Sequence, residues 1–128
     1  MSIPDKNTIK RIIDGDTKLM VRTAKDLGVY LKNRKLTTSQ IRNVFSSVKK
    51  IEMGGFQEKD LLLLKPKLAY AASRLGPNNA VEDLGKVLGA AISAVNGDQN
   101  KFLNFCDFFE AILCYFRAAE KNVILEEV

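Results

Sequence analysis

The chain has 128 residues, 46% of them hydrophobic, and a formal net charge of +5 with no histidine. That is the size of one ordinary domain, with enough apolar residues to bury a core without disulfide or metal staples. The longest uninterrupted apolar run falls far short of the roughly 18 residues that cross a bilayer, and the start, MSIPDKNTIK, lacks the apolar stretch of a signal peptide, so a cytoplasmic protein is expected.

The charge is unevenly spread. Residues 1–75 carry 16 Lys/Arg against 7 Asp/Glu, whereas residues 76–128 carry 4 against 8. A basic front and a mildly acidic back suit a chain that meets a polyanion on one surface and protein on another.

Helical punctuation dominates and no clean apolar/polar alternation argues for a strand. Residues 1–15 form a polar lead-in with room for a short helix from Asp5 to Ile13, closed by Gly15. The first long helix starts at Asp16 as N-cap and runs to about Lys32, with Met20, Ala24, Leu27 and Leu31 along one face. Thr37-Thr38-Ser39-Gln40 fits a capping box, and Ile41, Val44, Phe45, Val48 and Ile51 form the apolar stripe of a second helix that Gly54-Gly55 ends.

In residues 56–75, Leu61 to Leu64 favour helix but Pro66 cannot sit unperturbed in a helix interior. Either a helix begins at Pro66 or one kinks there; LAYAASRL is helical in both cases, and Gly76-Pro77 stops it. Asn79, with Glu82 three residues on, caps the fourth helix, whose stripe is Val81, Leu84, Leu88, Ala91, Ile92 and Val95. Gly85 and Gly89 on its flank lower helix propensity and suggest a close helix crossing.

Asp98 opens the fifth helix, which runs to about Lys121. Phe102, Phe105, Phe109, Ile112, Leu113 and Phe116 make one face, and Phe108, Tyr115 and Ala119 widen it past half the circumference. A helix that apolar is buried on two sides, by its own bundle or by another subunit; the wide arc makes Phe108, Tyr115 and Phe116 candidates for a subunit interface. Residues 122–128 read as a tail. The expected fold is all-α, a single domain over 1–128 built as a compact bundle of about five helices.

Little in the sequence supports catalysis. Without histidine the commonest general base and metal ligand is missing. There is no Gly-rich phosphate loop, no C-x-x-C and no carboxylate cluster at metal-ligand spacing. Cys106 and Cys114 stand eight residues apart, about 12 Å of helix rise, too far for a mutual disulfide, and read as small core residues. The expectation is a non-enzyme that needs no metal or cofactor.

A basic surface remains. Arg42, Lys49 and Lys50 fall opposite the apolar stripe of the second helix, with Lys32, Arg34 and Lys35 just before it. Lys67 and Arg74, seven residues apart, share one side of the third helix, and Tyr70 near them serves either packing or base stacking. A Lys/Arg-rich helix face is commonly just solvated, but these faces lack carboxylates at i±4, so they are not ion-pair ladders.

Three segments resemble the small subunit of the type III-A CRISPR (Csm) effector complex: LTTSQIRNVFSSVKKIE (Leu36–Glu52), LLKPKLAYAASR (Leu63–Arg74) and FCDFFEAILCYF (Phe105–Phe116), in the family's order. The resemblance implies a helical bundle present in several copies, lying beside crRNA-coating backbone subunits and the large polymerase-type subunit. It implies no active site, and a role in holding target RNA along the crRNA duplex. Carried over by position, Arg42, Lys49, Lys50, Lys67 and Arg74 become the RNA-contacting candidates, with Lys35 a weaker member. The competing reading is a helical interaction module whose basic patch docks an acidic protein.

Overall fold

The computed structural model describes residues 3–123 and 125. Among these there is no strand, and seven helical segments follow one another: α1 (Lys6–Ile13), α2 (Thr17–Asn33), α3 (Thr38–Gly54), α4 (Glu58–Leu62), α5 (Leu64–Ser73), α6 (Ala80–Val95) and α7 (Gln99–Glu120). The five expected helices correspond to α2, α3, α5, α6 and α7. The count exceeds five because α1 and the single turn α4 are separate pieces.

Helix starts are set by side-chain caps that satisfy otherwise free N–H groups. Asp5 accepts from Thr8 N–H, Asp16 from Leu19 N–H, Asn79 from Glu82 N–H and Asp98 from Lys101 N–H. Thr37 and Gln40 form the reciprocal capping box of α3, with Gln40 N–H donating to Thr37 Oγ1 at 3.1 Å and Thr37 N–H to Gln40 Oε1 at 2.9 Å. The acid of α6 works differently from a capping box: the Glu82 carboxylate accepts from Asn78 N–H, one residue ahead of the cap.

Pro66 resolves as a break followed by a start. α4 ends at Leu62, Leu63 turns, and Pro66 occupies the third position of α5, where a missing N–H leaves no ladder bond unmade. The segment expected to be a polar lead-in carries α1, whose Ile9, Ile12 and Ile13 are buried. Asn104 on α7 donates to the Ile13 carbonyl and fixes its end.

α7 is the axis of the bundle, packed by α1, α2, α3 and α6. Its wide apolar arc is covered by this chain: Phe108 and Phe116 are both 0% exposed, and Tyr115 is half-buried against Gly28. Phe108 and Phe116, expected at a subunit interface, are enclosed instead by α1, α2, α3 and α6, and Tyr115 keeps a partly exposed face. Cys106 is buried as expected, but Cys114 is exposed on the solvent seam of α7. Burial pushes the Cys106 thiol up to about 12, so it stays protonated and inert at neutral pH.

The close helix crossing lies elsewhere than expected. A Cβ at Gly28 of α2 would sit 2.6 Å from Phe116 N and 2.7 Å from the Tyr115 carbonyl carbon, so only glycine lets α2 and α7 touch there. A Cβ at Gly85 would meet only Leu68 Cβ, at 3.7 Å, and one at Gly89 would meet nothing within 4 Å. These two glycines instead line the floor of an open groove of about 780 Å³ between α1 and α5.

Candidate nucleic-acid interface

α3 and α5 carry most of the candidate residues, and α3 presents two different edges. At 100° per residue, Arg42 and Lys49 lie about 20° apart, while Asn43 and Lys50 lie about 80–100° from Arg42 on the other edge. The Lys49 edge runs along α7: Phe45 packs edge-on against Phe109 with centroids 5.3 Å apart, and the Lys49 ammonium stands 5.8 Å from the Phe45 ring.

The other edge faces α5. Gln40, Asn43 and Val44 from α3, Ala71 and Arg74 from α5, and Val81 and Leu84 from α6 line a groove of about 320 Å³ with an apolar floor and a polar rim. Lys67 lies about two turns before Arg74, on the same side, and is exposed. Arg74 stands 6.0 Å from the ring of Tyr70, which is 68% exposed. Of the candidate cations, Arg74 lines the α3–α5 groove, while Lys50 lies on the side of α3 opposite the buried Ile41 and Arg42 and Lys49 lie toward α7. Lys35 is exposed in the α2–α3 connection with a φ of 73°.

The cations also differ in what holds them. Lys49 Nζ donates to Glu52 Oε1 at 2.9 Å, and that carboxylate is the main reason its pKa is raised. This carboxylate stands at i+3, outside the i±4 spacing of an ion-pair ladder. Among the described residues, the side chains of Lys35, Arg42, Lys50 and Lys67 have no hydrogen bond or ion pair, and that of Arg74 has only its ring contact. Arg34 belongs to the fold instead: Nε donates to Asp83 Oδ2 at 2.7 Å and Nη2 to the Asn78 carbonyl at 3.1 Å, tying the end of α2 to the start of α6. Asp83 is 6% exposed, so this is the charge pair the bundle most depends on.

Unpaired Lys and Arg on exposed helix faces can neutralise phosphates but cannot read base edges from outside a groove. The phenylalanines of α7 are sealed in the core and offer no stacking surface; Tyr70 does. Among the described residues, no group of three or more His, Cys, Asp or Glu is placed to hold a metal ion.

A family model described as Csm2 Type III-A matches residues 14–122. The chain belongs to that family. It is a small subunit of a type III-A CRISPR effector, a structural component of the Csm complex alongside other subunits. Neither the curated proteins nor the solved structures contain a match. Among the described residues, no helix is long and apolar enough to cross a membrane.

Proposed function

We propose that this Csm2-family chain is a non-catalytic subunit that holds target RNA along the crRNA duplex by contacting phosphates from α3, α5 and the α2–α3 connection. The observation that carries the reading is the set of cations Lys35, Arg42, Lys50, Lys67 and Arg74, whose side chains have no ion pair among the described residues. Lys49 contributes less, because its ammonium is already engaged by Glu52. Arg74 with Tyr70 is the one place where a phosphate contact and a stacked base combine. Phosphate contacts without base readout suit a subunit that must serve any guide sequence. The copies of the subunit, the backbone subunits and the large polymerase-type subunit are its partners in this reading.

A second reading has its own support. Met53 is 83% exposed on the Arg42 edge of α3 and Leu75 is 53% exposed beside Arg74, and apolar groups among cations also suit an acidic protein partner. Assembled complexes decide between them. With Arg42→Ala or Arg74→Ala, the RNA reading expects intact assembly and weaker retention of target RNA. Loss of assembly would make the basic side a docking surface for protein and overturn the reading.

A further inference from the structure

We propose that the solvent face of α2 is a second phosphate-binding track for single-stranded RNA, separate from the α3–α5 side; this rests on the RNA-binding reading. Lys18, Arg22, Lys25 and Lys32 fall within about 80° of arc on α2, opposite the buried Ala24, Leu27 and Leu31 that pack toward α7. From Lys18 to Lys32 the face is about 21 Å long at 1.5 Å per residue, room for several nucleotides. Asp26, at its margin, is the single acid within the helix.

Two features distinguish this face from an ordinary solvated one. The side chains of Lys18, Arg22 and Lys32 make no hydrogen bond or ion pair among the described residues, although Arg22 acts at longer range on Asp16. On neighbouring α1, by contrast, Lys10 is matched to Asp14 at 2.8 Å and Arg11 to Asp16 at 3.0 Å. The second feature is position. The first turn of α2 has no acidic residue and carries Lys18, a cation at the positive end of the helix dipole, where an acid would stabilise the helix. Lys18 therefore works against the dipole at the start of α2, next to the Asp16 cap on which Arg22 also acts, while the row of cations complements a polyanion laid along the axis. Asp107 and Glu110 are exposed on α7, which packs against both α2 and α3, and Glu110 acts on Lys49.

The test is fluorescence anisotropy of the full chain with a labelled unstructured oligouridylate at low salt, across a salt series. A Lys18→Glu/Arg22→Glu variant is compared with Lys6→Glu/Lys59→Glu, which changes net charge equally on exposed cations of α1 and α4. The proposal expects the α2 variant to bind at least about tenfold more weakly, with a salt slope shallower by about 1.4, two contacts at roughly 0.7 each. The control should lose clearly less. A glutamate at position 18 suits the first turn, and a melting curve of the α2 variant shows that any lost binding is not lost folding. Equal losses in both variants would reduce the effect to net charge and overturn the proposal. Unchanged RNA affinity with failed assembly would assign the face to a protein partner and also overturn it. If Arg42→Ala and Arg74→Ala weaken binding while the α2 variant does not, this track falls and the reading of α3 and α5 as the RNA-holding helices stands. If wild-type chain shows no salt-dependent binding, both fall.

Discussion

At the scale of single residues, glycines show what a sequence can and cannot disclose. Gly28, Gly85 and Gly89 all sit inside helices and carry the same propensity cost, and nothing local separates them. Packing does. Gly28→Ala forces a Cβ into the backbone of α7 at 2.6–2.7 Å, and main chain cannot yield as a side-chain tip can. Overpacking of this kind costs about 1–3 kcal/mol, outweighing the roughly 1 kcal/mol that alanine gains in helix propensity. Gly89→Ala meets no neighbour and should stabilise by about 0.5–1 kcal/mol. Opposite shifts of the urea midpoint are expected, and shifts of the same sign would contradict the crossing geometry. Arg34 was grouped with Lys32 and Lys35 in the basic surface because its partner Asp83 lies 49 positions away. Arg34→Ala should lower the melting temperature while leaving RNA affinity near wild type, and Arg42→Ala should do the reverse.

At the scale of elements, boundaries were the most legible feature, because capping chemistry is local. Thr37 and Gln40 announced α3, and Asn79 announced α6, from hydrogen bonds that span three residues. Asn79 does more than its spacing implied: its side-chain amide also donates to the Ala72 and Gly76 carbonyls, closing the end of α5. Asn79→Ala should therefore cost about 1–2 kcal/mol, the upper part of the usual N-cap range, whereas Asn79→Asp, which keeps the acceptor but loses the donors, should fall between. The acidic caps add a pH dependence. Asp5 and Asp16 are held below 3.8 chiefly by the backbone N–H groups they cap, and Glu82 below 4.5 chiefly by Asn78 N–H. A lowered folded pKa means that the unfolded chain takes up protons first. The stability these groups supply is thus complete above 3.8 and 4.5 and is lost as pH falls through the lowered values. Melting temperature should hold down to about pH 5 and decline steadily below it. No decline by about pH 3 would contradict these caps. Pro66 shows the limit of local reading, since a start and a kink look alike until the break at Leu63 is seen.

At the scale of the whole molecule, the all-helical class was legible from periodicity, but the packing around α7 was not. Phe108 and Phe116 lay on an arc too broad for one partner helix, and sequence alone could not tell that α1, α2, α3 and α6 would enclose it. The short α1, with its three isoleucines, is the piece whose weight was hardest to see in a polar segment. The candidate site was legible residue by residue as exposed cations, but the division of α3 into two edges depends on where α5 and α7 pack. The central claim is that cations on α3, α5 and the α2–α3 connection bind RNA through phosphates, whatever the sequence. It is tested most directly by the salt dependence of RNA binding for wild type, Arg74→Ala, Arg42→Ala and, as control, Lys121→Ala. Three to five contacts among Lys35, Arg42, Lys50, Lys67 and Arg74 give a wild-type slope of log affinity against log salt of about −2 to −3.5, steeper if α2 takes part. Each arginine variant should flatten it by about 0.7 and weaken binding alike for oligouridylate and oligoadenylate, while Lys121→Ala changes little. A slope near zero, or equal losses from Arg74→Ala and Lys121→Ala, would contradict the claim.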